Sequence, residues 1–142
     1  MSLRPFLHKL RGVRIHGTVW IGDDVYIESE YPERVEVHDG AFLGMRATIL
    51  AHTKGEGSVV IERDAFVGPH AVIVCASGKV LRIGEGAVIT IGSVVTSSVA
   101  PRTIIAPPRA VPIGKSKVPY LRATYQEFVS GLEPVRRKPR AQ

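Results

Sequence analysis

The sequence predicts an all-β solenoid of about four stacked triangular coils, and three observations point to it. First, an aliphatic residue opens a six-residue unit twelve times between residues 15 and 100, usually with a small or aliphatic residue four positions later. Second, the units fall into four groups of three, whose starts at Ile15, Val37, Ile61 and Ile83 are 22, 24 and 22 residues apart. Third, residues 13–100 contain no stretch of helical spacing, and a two-residue alternation would not place small residues at every sixth position. Repetition at a fixed period outranks local propensity.

Each six-residue unit is expected to form one short strand and one corner, so three units make a coil of eighteen residues. The opening residue points inward, and the fifth residue points inward near a corner, where only a small side chain fits. Glycines such as Gly22 and Gly44 follow the opening residue, and we expect them to ease the bend of the backbone. The coils exceed eighteen residues by insertions at 31–34, 54–59 and 78–82, all in the third unit. Insertions on one edge of a solenoid lie on one face, often the binding face, and the middle insertion is the one we expect to be functional.

The chain ends complete the predicted architecture, which we interpret as a single domain over residues 1–142. Apolar residues at positions 3, 6, 7 and 10 have helical spacing and predict a short helix that caps the open first coil. Proline punctuates the segment after the coils, and apolar residues recur at helical spacing near the C-terminus. The predicted segments are a capping helix (1–12), the β-helix (13–100), an extended exit segment (101–119), a helix (120–132) and a basic tail (133–142).

Composition excludes several classes of protein. No apolar run approaches the roughly 20 residues of a membrane span, and the N-terminus lacks the apolar stretch of a signal peptide, so we expect a cytoplasmic protein. A lone cysteine, Cys75, excludes an internal disulfide. The net charge of +6 suits a polyanionic small ligand, whereas aromatic residues at 6% and scattered argue against nucleic acid. The flat aliphatic faces of a triangular prism need cover, which predicts a homotrimer.

Several short segments of the sequence are similar to those of one known family. The chain resembles the hexapeptide-repeat acyltransferases, which fold as a left-handed parallel β-helix, and within them the branch of sugar and serine O-acetyltransferases. The resemblance covers roughly residues 10–115. The segments that carry it are 10–15, 21–27, 31–33, 47–53, 92–96 and 103–106.

The resemblance implies an acyltransferase that moves an acetyl group from acetyl-CoA to a hydroxyl of a sugar or another small polar acceptor. It implies that His52 is the catalytic base, in a site between adjacent subunits, and that no metal takes part. The exit segment departs from the family, because Ala-Pro-Pro-Arg-Ala at 106–110 stands where Ala-Gly-Asn-Pro-Ala is common. Proline lacks an N–H, so a backbone contact at position 107 is lost. The residues that match the family's coenzyme A site are Ser93, Thr96, Arg109, Lys115 and Lys117.

His52 also suits this chemistry by its residue type and position. It stands in the third unit of its coil, just before the longest insertion. Histidine titrates near neutral pH, so it can take the proton of an attacking hydroxyl and later donate it. A carboxylate is expected to orient the imidazole, and the candidates are Asp23, Asp24, Glu28 and Glu56. His70 is expected to point outward, and no function is assigned to His8, His16 or His38.

Two other functions stay open at this point. The same solenoid occurs in binding proteins, so a non-catalytic scaffold is one alternative. The other is a zinc enzyme like the γ-type carbonic anhydrases, which bind the metal through three histidines. A catalytic zinc site needs three protein ligands, and this chain has no His-x4-His pair along its sequence.

Overall fold

The computed structural model describes residues 3–135. They belong to two compact units, one up to Pro107 and one from Pro108 onward. A single domain over 1–142 stays a prediction. Most of the predicted basic tail lies outside the described residues.

The first unit begins with helix α1 (Leu3–Leu10), at the place predicted for the capping helix. Short strands follow at nearly regular intervals. In chain order they are β1 (Arg14–Ile15), β2 (Trp20–Ile21), β3 (Tyr26–Ile27), β4 (Val35–Val37), β5 (Phe42–Leu43), β6 (Thr48–Leu50), β7 (Ser58–Ile61), β8 (Phe66–Val67), β9 (Val72–Val74), β10 (Val80–Ile83), β11 (Val88–Ile89), β12 (Val94–Val95) and β13 (Ile104–Ile105).

The strands form three parallel ladders, one on each side of a triangular coil. Sheet A has the order β1-β4-β7-β10, sheet B the order β13-β11-β8-β5-β2, and sheet C the order β12-β9-β6-β3. Residues one coil apart are partners, as Ile27 is with Ile49 and Ile49 with Ile73. This arrangement confirms the predicted fold class of a parallel β-helix of about four coils.

The core is a stack of like side chains, as the six-residue period predicts. The opening residues Ile27, Ile49 and Ile73 are fully buried, and so are the fifth-place residues Ala47 and Ala71. Full burial of an aliphatic side chain stabilises a fold by roughly 1.5–3 kcal/mol. Because each layer packs on the next, every coil depends on its neighbours.

The role expected for the glycines after the opening residues is wrong for Gly22 and Gly44. A Cβ on Gly44 would lie 2.5 Å from the backbone nitrogen of Pro69, and one on Gly22 would lie 2.7 Å from that of Met45. Both glycines therefore allow the backbone of the next coil to approach closely, and neither has a positive φ. Positive φ values occur at turn residues such as Gly40 and His70 instead.

The ladder continues beyond the predicted limit of residue 100, because β13 pairs with β11 in sheet B. In the second unit, β14 (Gly114–Ser116) pairs with β15 (Leu132–Pro134) in antiparallel fashion. The helix predicted over 120–132 is shorter: a 3₁₀ turn over Tyr120–Arg122 precedes α2 (Tyr125–Ser130). The reason is Thr124, whose extended backbone and capping box with Glu127 begin a new helix.

Among residues 3–135, no helix combines the length and apolar character that crossing a membrane requires.

Candidate active site around His52

His52 and Glu28 meet beside sheet C, at the edge where the insertions leave the coils. Glu28 directly follows β3, and His52 comes two residues after β6, which is the partner of β3 in the ladder. The Nδ1 atom of His52 lies 2.6 Å from Oε2 of Glu28. The Glu28 side chain is 1% exposed, whereas that of His52 is 28% exposed. The pair therefore joins a buried carboxylate to an imidazole that solvent can reach.

The environment of Glu28 favours its ionised form. Burial is the largest single influence and raises the pKa of Glu28. It is outweighed by the hydrogen bond from His52 and by the backbone N–H groups of Glu30 and Ala51, which donate at 3.0 and 3.3 Å. The pKa of Glu28 is therefore below its ordinary value of 4.5. An ionised carboxylate only accepts hydrogen bonds, so Nδ1 of His52 carries a proton.

The second nitrogen of the imidazole faces another carboxylate. Nε2 of His52 lies 3.1 Å from Oε2 of Glu30, whose side chain is 73% exposed. The two nitrogens of the ring thus each face a carboxylate oxygen, one buried and one exposed. For His52 to act as a base, Glu30 must leave Nε2, and its exposed side chain is free to do so.

Side chains from two insertions surround this pair. The ring of Tyr31 meets His52 edge-on, with 5.3 Å between centroids, and the guanidinium of Arg34 lies 5.6 Å from the centre of the Tyr31 ring. Nη2 of Arg34 is 3.2 Å from Oε1 of Glu56 in the middle insertion. The first insertion thus contacts His52 directly, and Glu56 of the middle insertion is linked to it through Arg34 and Tyr31.

Of the four carboxylates considered from the sequence, Glu28 is the one that contacts His52. Asp23 pairs with Arg4, Asp24 lies 3.5 Å from Arg46, and Glu56 pairs with Arg34. Sequence reasoning missed Glu30, although the register gave a signal. Tyr26 and Thr48 are partners 22 residues apart, and the same offset places Glu30 beside His52.

Ser93 and Thr96 lie in the last coil, at either end of β12, which belongs to the same sheet as β6. Ser93 is 1% exposed and its hydroxyl lies 3.3 Å from that of Thr90. Its N–H and C=O are also hydrogen-bonded within the coils, to Thr90 and Val72, so a part for Ser93 in binding a cofactor stays a prediction. Thr96 is exposed and lines a surface depression together with Ser98 and Thr103.

The three basic residues of the expected coenzyme A site belong to the second unit. Arg109, Lys115 and Lys117 are all exposed. Nζ of Lys117 lies 3.0 Å from Oε1 of Glu133, while Lys115 is the ladder partner of Glu133 in the hairpin of β14 and β15. Their part in binding a cofactor stays a prediction.

Two other residues behave as structural features. Cys75 is buried, and its thiol donates to the carbonyl oxygens of Lys79 and Ala76 at 3.2 and 3.4 Å. His70 is exposed at a turn with φ of 56°, as expected for an outward residue.

Known proteins resemble parts of this chain. No protein-family model matches it. A segment of 88 residues is 34% identical to the bifunctional protein GlmU of Bifidobacterium longum strain NCC 2705, and 33% identical to that of strain DJO10A. Each match covers 62% of this chain but 18% of the relative, so the chain spans about one fifth of the length of these curated relatives.

Among solved structures, a hexapeptide-repeat-containing acetyltransferase from Vibrio cholerae matches with a TM-score of 0.45 and 22% sequence identity. The match covers 73% of this chain and 76% of the other. The activity of this chain is therefore a proposal that depends on the geometry around His52.

Proposed function

We propose that this protein is an acyltransferase that moves an acetyl group from acetyl-CoA to a hydroxyl of a sugar or another small polar acceptor. The observation that carries the proposal is the 2.6 Å contact between His52 Nδ1 and the buried carboxylate of Glu28. A carboxylate in this position fixes the ring and its tautomer and stabilises the imidazolium that forms when Nε2 takes a proton. The pair is therefore built as a general base.

In the proposed reaction, Nε2 of His52 removes the proton of the acceptor hydroxyl as its oxygen attacks the thioester carbonyl. The new C–O bond forms and the carbonyl becomes a tetrahedral oxyanion. The C–S bond then breaks, the carbonyl re-forms, and the leaving thiolate takes the proton from the imidazolium. A positioned base of this kind contributes about 10²–10⁴-fold to the rate.

Glu30 marks the place where the acceptor hydroxyl would sit. Its carboxylate oxygen is 3.1 Å from Nε2, a distance at which a hydroxyl oxygen could hand over its proton. We infer that the acceptor displaces Glu30 from Nε2 and that the ring is neutral in the reactive complex. Tyr31, whose ring is nearly perpendicular to that of His52, would then form one wall of the acceptor site.

For the donor, we propose that Arg109, Lys115 and Lys117 bind the phosphates of acetyl-CoA, and Thr96 is a separate candidate contact within the coils. The support is the resemblance of these positions to the family, their exposure, and the net charge of +6, which favours a polyanion. Because Pro107 has no N–H, this chain must replace one backbone contact of the family, and Arg109 is the proposed replacement.

We also propose a homotrimer in the cytoplasm. Its support is an apolar ladder on the outer face of sheet B, where Trp20 stacks on Phe42 and Phe42 on Phe66, with 4.1 and 4.8 Å between ring centroids. Trp20 is 48% exposed and Phe66 36%. Closed association of three copies would cover this face. Sedimentation equilibrium should give three chains per particle, and Trp20→Glu should shift the mass towards one chain.

A non-catalytic scaffold is the second candidate, favoured by the contact of Glu30 with Nε2 and by the altered exit segment. The zinc-enzyme alternative gains no support at His52. In the part of the chain that the structure describes, the cluster of potential metal ligands that converges does not include His52.

A thiol-release assay distinguishes an acetyltransferase from a non-catalytic scaffold protein. Purified protein is incubated with acetyl-CoA and a panel of sugars, amino sugars and serine, and calorimetry measures the affinity for coenzyme A. The proposal expects release of free thiol that requires one class of acceptor. A protein that neither binds coenzyme A at millimolar concentration nor releases thiol with any acceptor would support the scaffold.

A further inference from the structure

A second cluster of ionisable side chains lies on sheet A and has no part in the proposed transfer. Nε2 of His16 and Nε2 of His38 each lie 3.1 Å from the same oxygen, Oε1 of Glu36. The two imidazole rings are 4.9 Å apart at their centroids and inclined by 32°. Three potential ligand atoms thus converge from two successive coils.

The repeat explains why these residues meet. His16 follows the opening residue Ile15, and His38 follows Val37, which is the ladder partner of Ile15. Glu36 is two residues before His38, so both point to the same side of the strand. Histidine spacing along the chain does not reveal this cluster, because the stacking of the coils brings together residues that are 22 positions apart.

The distances suit a small divalent cation. Zinc bonds of about 2.0–2.1 Å at tetrahedral angles keep two ligand atoms roughly 3.3 Å apart. The two contacts of 3.1 Å with Glu36 are close to that value, and all three ligand atoms lie within 4.8 Å of one another. A modest rotation of the imidazoles would therefore complete three coordination bonds and leave a fourth position for water.

The ligand types and the exposure point in the same direction. Imidazole nitrogens favour zinc, copper, nickel and iron, whereas magnesium and calcium favour sites made of oxygen. The side chains are 54%, 33% and 22% exposed for His16, His38 and Glu36, so a cation can enter from solvent. Each imidazole would bind in its neutral form, with its proton on Nδ1.

The neighbouring charges leave this set of ligands available. Arg14 lies 3.5 Å from Oε2 of Glu36, the oxygen that the histidines do not contact. It holds the carboxylate in place, although its charge lowers the affinity for a cation. Glu62 stands level with His38 in the next coil, because the preceding residues Ile61 and Val37 are ladder partners. Its carboxylate already accepts the backbone N–H of Glu85 at 3.0 Å. The site therefore has one carboxylate and two imidazoles.

We propose that His16, Glu36 and His38 bind one divalent transition-metal cation, with zinc as the representative ion, across the first and second coils. Such a cation would tie the outermost coil to its neighbour. That coil has a partner on one side only within the ladder, so it is where an added link stabilises the solenoid most. The site is independent of the proposed acetyl transfer.

Zinc titration of the tag-free, full-length protein after chelator treatment tests the proposal. Calorimetry should show one Zn²⁺ per chain, and Co²⁺ should give the visible absorption of a tetrahedral site. In His16→Gln and His38→Gln, glutamine can still bond to Glu36 but is a poor zinc ligand. Loss of a ligand should weaken binding by more than the roughly 10–100-fold that loss of an outer-shell partner costs. The matched control, His70→Gln, removes an exposed histidine elsewhere and should leave binding unchanged.

Thermal unfolding gives a readout that does not depend on calorimetry. Zn²⁺ should raise the Tm of the wild-type protein and leave that of His16→Gln unchanged, because a ligand that binds only the folded state stabilises it. Circular dichroism of the metal-free variants should match the wild type. Zinc binding that persists in either histidine variant, or no binding at millimolar Zn²⁺, would overturn the proposal.

Discussion

Replacement of Glu28 by glutamine tests how the buried carboxylate acts on His52. The substitution keeps the size of the side chain and removes its charge. A hydrogen bond to a charged group contributes about 1.5–3 kcal/mol and a neutral one about 0.5–1.5 kcal/mol, so the imidazolium loses roughly 1–1.5 kcal/mol of stabilisation. Since 1.36 kcal/mol corresponds to a factor of ten, kcat should fall about 5–15-fold.

The same substitution should also lower the stability of the fold. If the amide oxygen keeps its contacts with His52 and the N–H of Ala51, the amide NH₂ faces the N–H of Glu30, where Glu28 now accepts at 3.0 Å. A buried donor without an acceptor costs about 1–3 kcal/mol, which urea unfolding measures.

The matched control is Glu62→Gln. Glu62 also accepts a backbone N–H, that of Glu85, but it lies on sheet A and its carboxylate pairs with Arg82. Thiol release by this variant should stay at the wild-type rate. Wild-type kcat in Glu28→Gln would refute the reasoning, because the carboxylate would then have no effect on the base.

Three further predictions concern stability. The pKa of folded Glu28 lies below 4.5, so the ionised carboxylate stabilises the fold above that pH. This contribution disappears as the pH falls from 4.5 through the lowered pKa. The difference in unfolding free energy between the wild type and Glu28→Gln should therefore shrink over that interval and stay constant above pH 4.5. Gly44→Ala should lower the unfolding free energy, measured by chemical denaturation, by at least the roughly 1–3 kcal/mol of overpacking, because the new Cβ meets the backbone of Pro69. In Gly92→Ala the new Cβ meets open space, so the loss should be only the roughly 1–2 kcal/mol of placing alanine at a φ of 68°. Thr124→Ala should destabilise α2 by about 1 kcal/mol, seen as faster hydrogen exchange of the Glu127 amide, and unchanged exchange would contradict the capping role.

The period of the sequence accounts for most of the fold. Ile27, Ile49 and Ile73 each open the third six-residue unit of successive coils. Their burial and their pairing follow from that position in a triangular coil. The role of Gly44 does not follow, because the need for close approach depends on the backbone of the next coil and not on its own unit. The break at Thr124 is likewise set by a local cap inside a continuous apolar pattern.

The candidate site was predictable only in part. His52 could be chosen from its position before an insertion and from the family resemblance. Glu28 could not be distinguished from three other carboxylates, because its orientation depends on two backbone N–H groups that the turn after β3 and the end of β6 place around it. His16 and His38 could have been paired by the coil offset, which shows that distances in a solenoid are better counted in coils than in residues.

The most direct test of the proposed transfer is the rate of thiol release from acetyl-CoA by His52→Ala, in the presence of the acceptor that the wild-type protein uses best. We expect the rate to fall by about 10²–10⁴-fold while the affinity for coenzyme A and the mass of the assembly stay unchanged. A variant that releases thiol as fast as the wild type would contradict the assignment of His52 as the base.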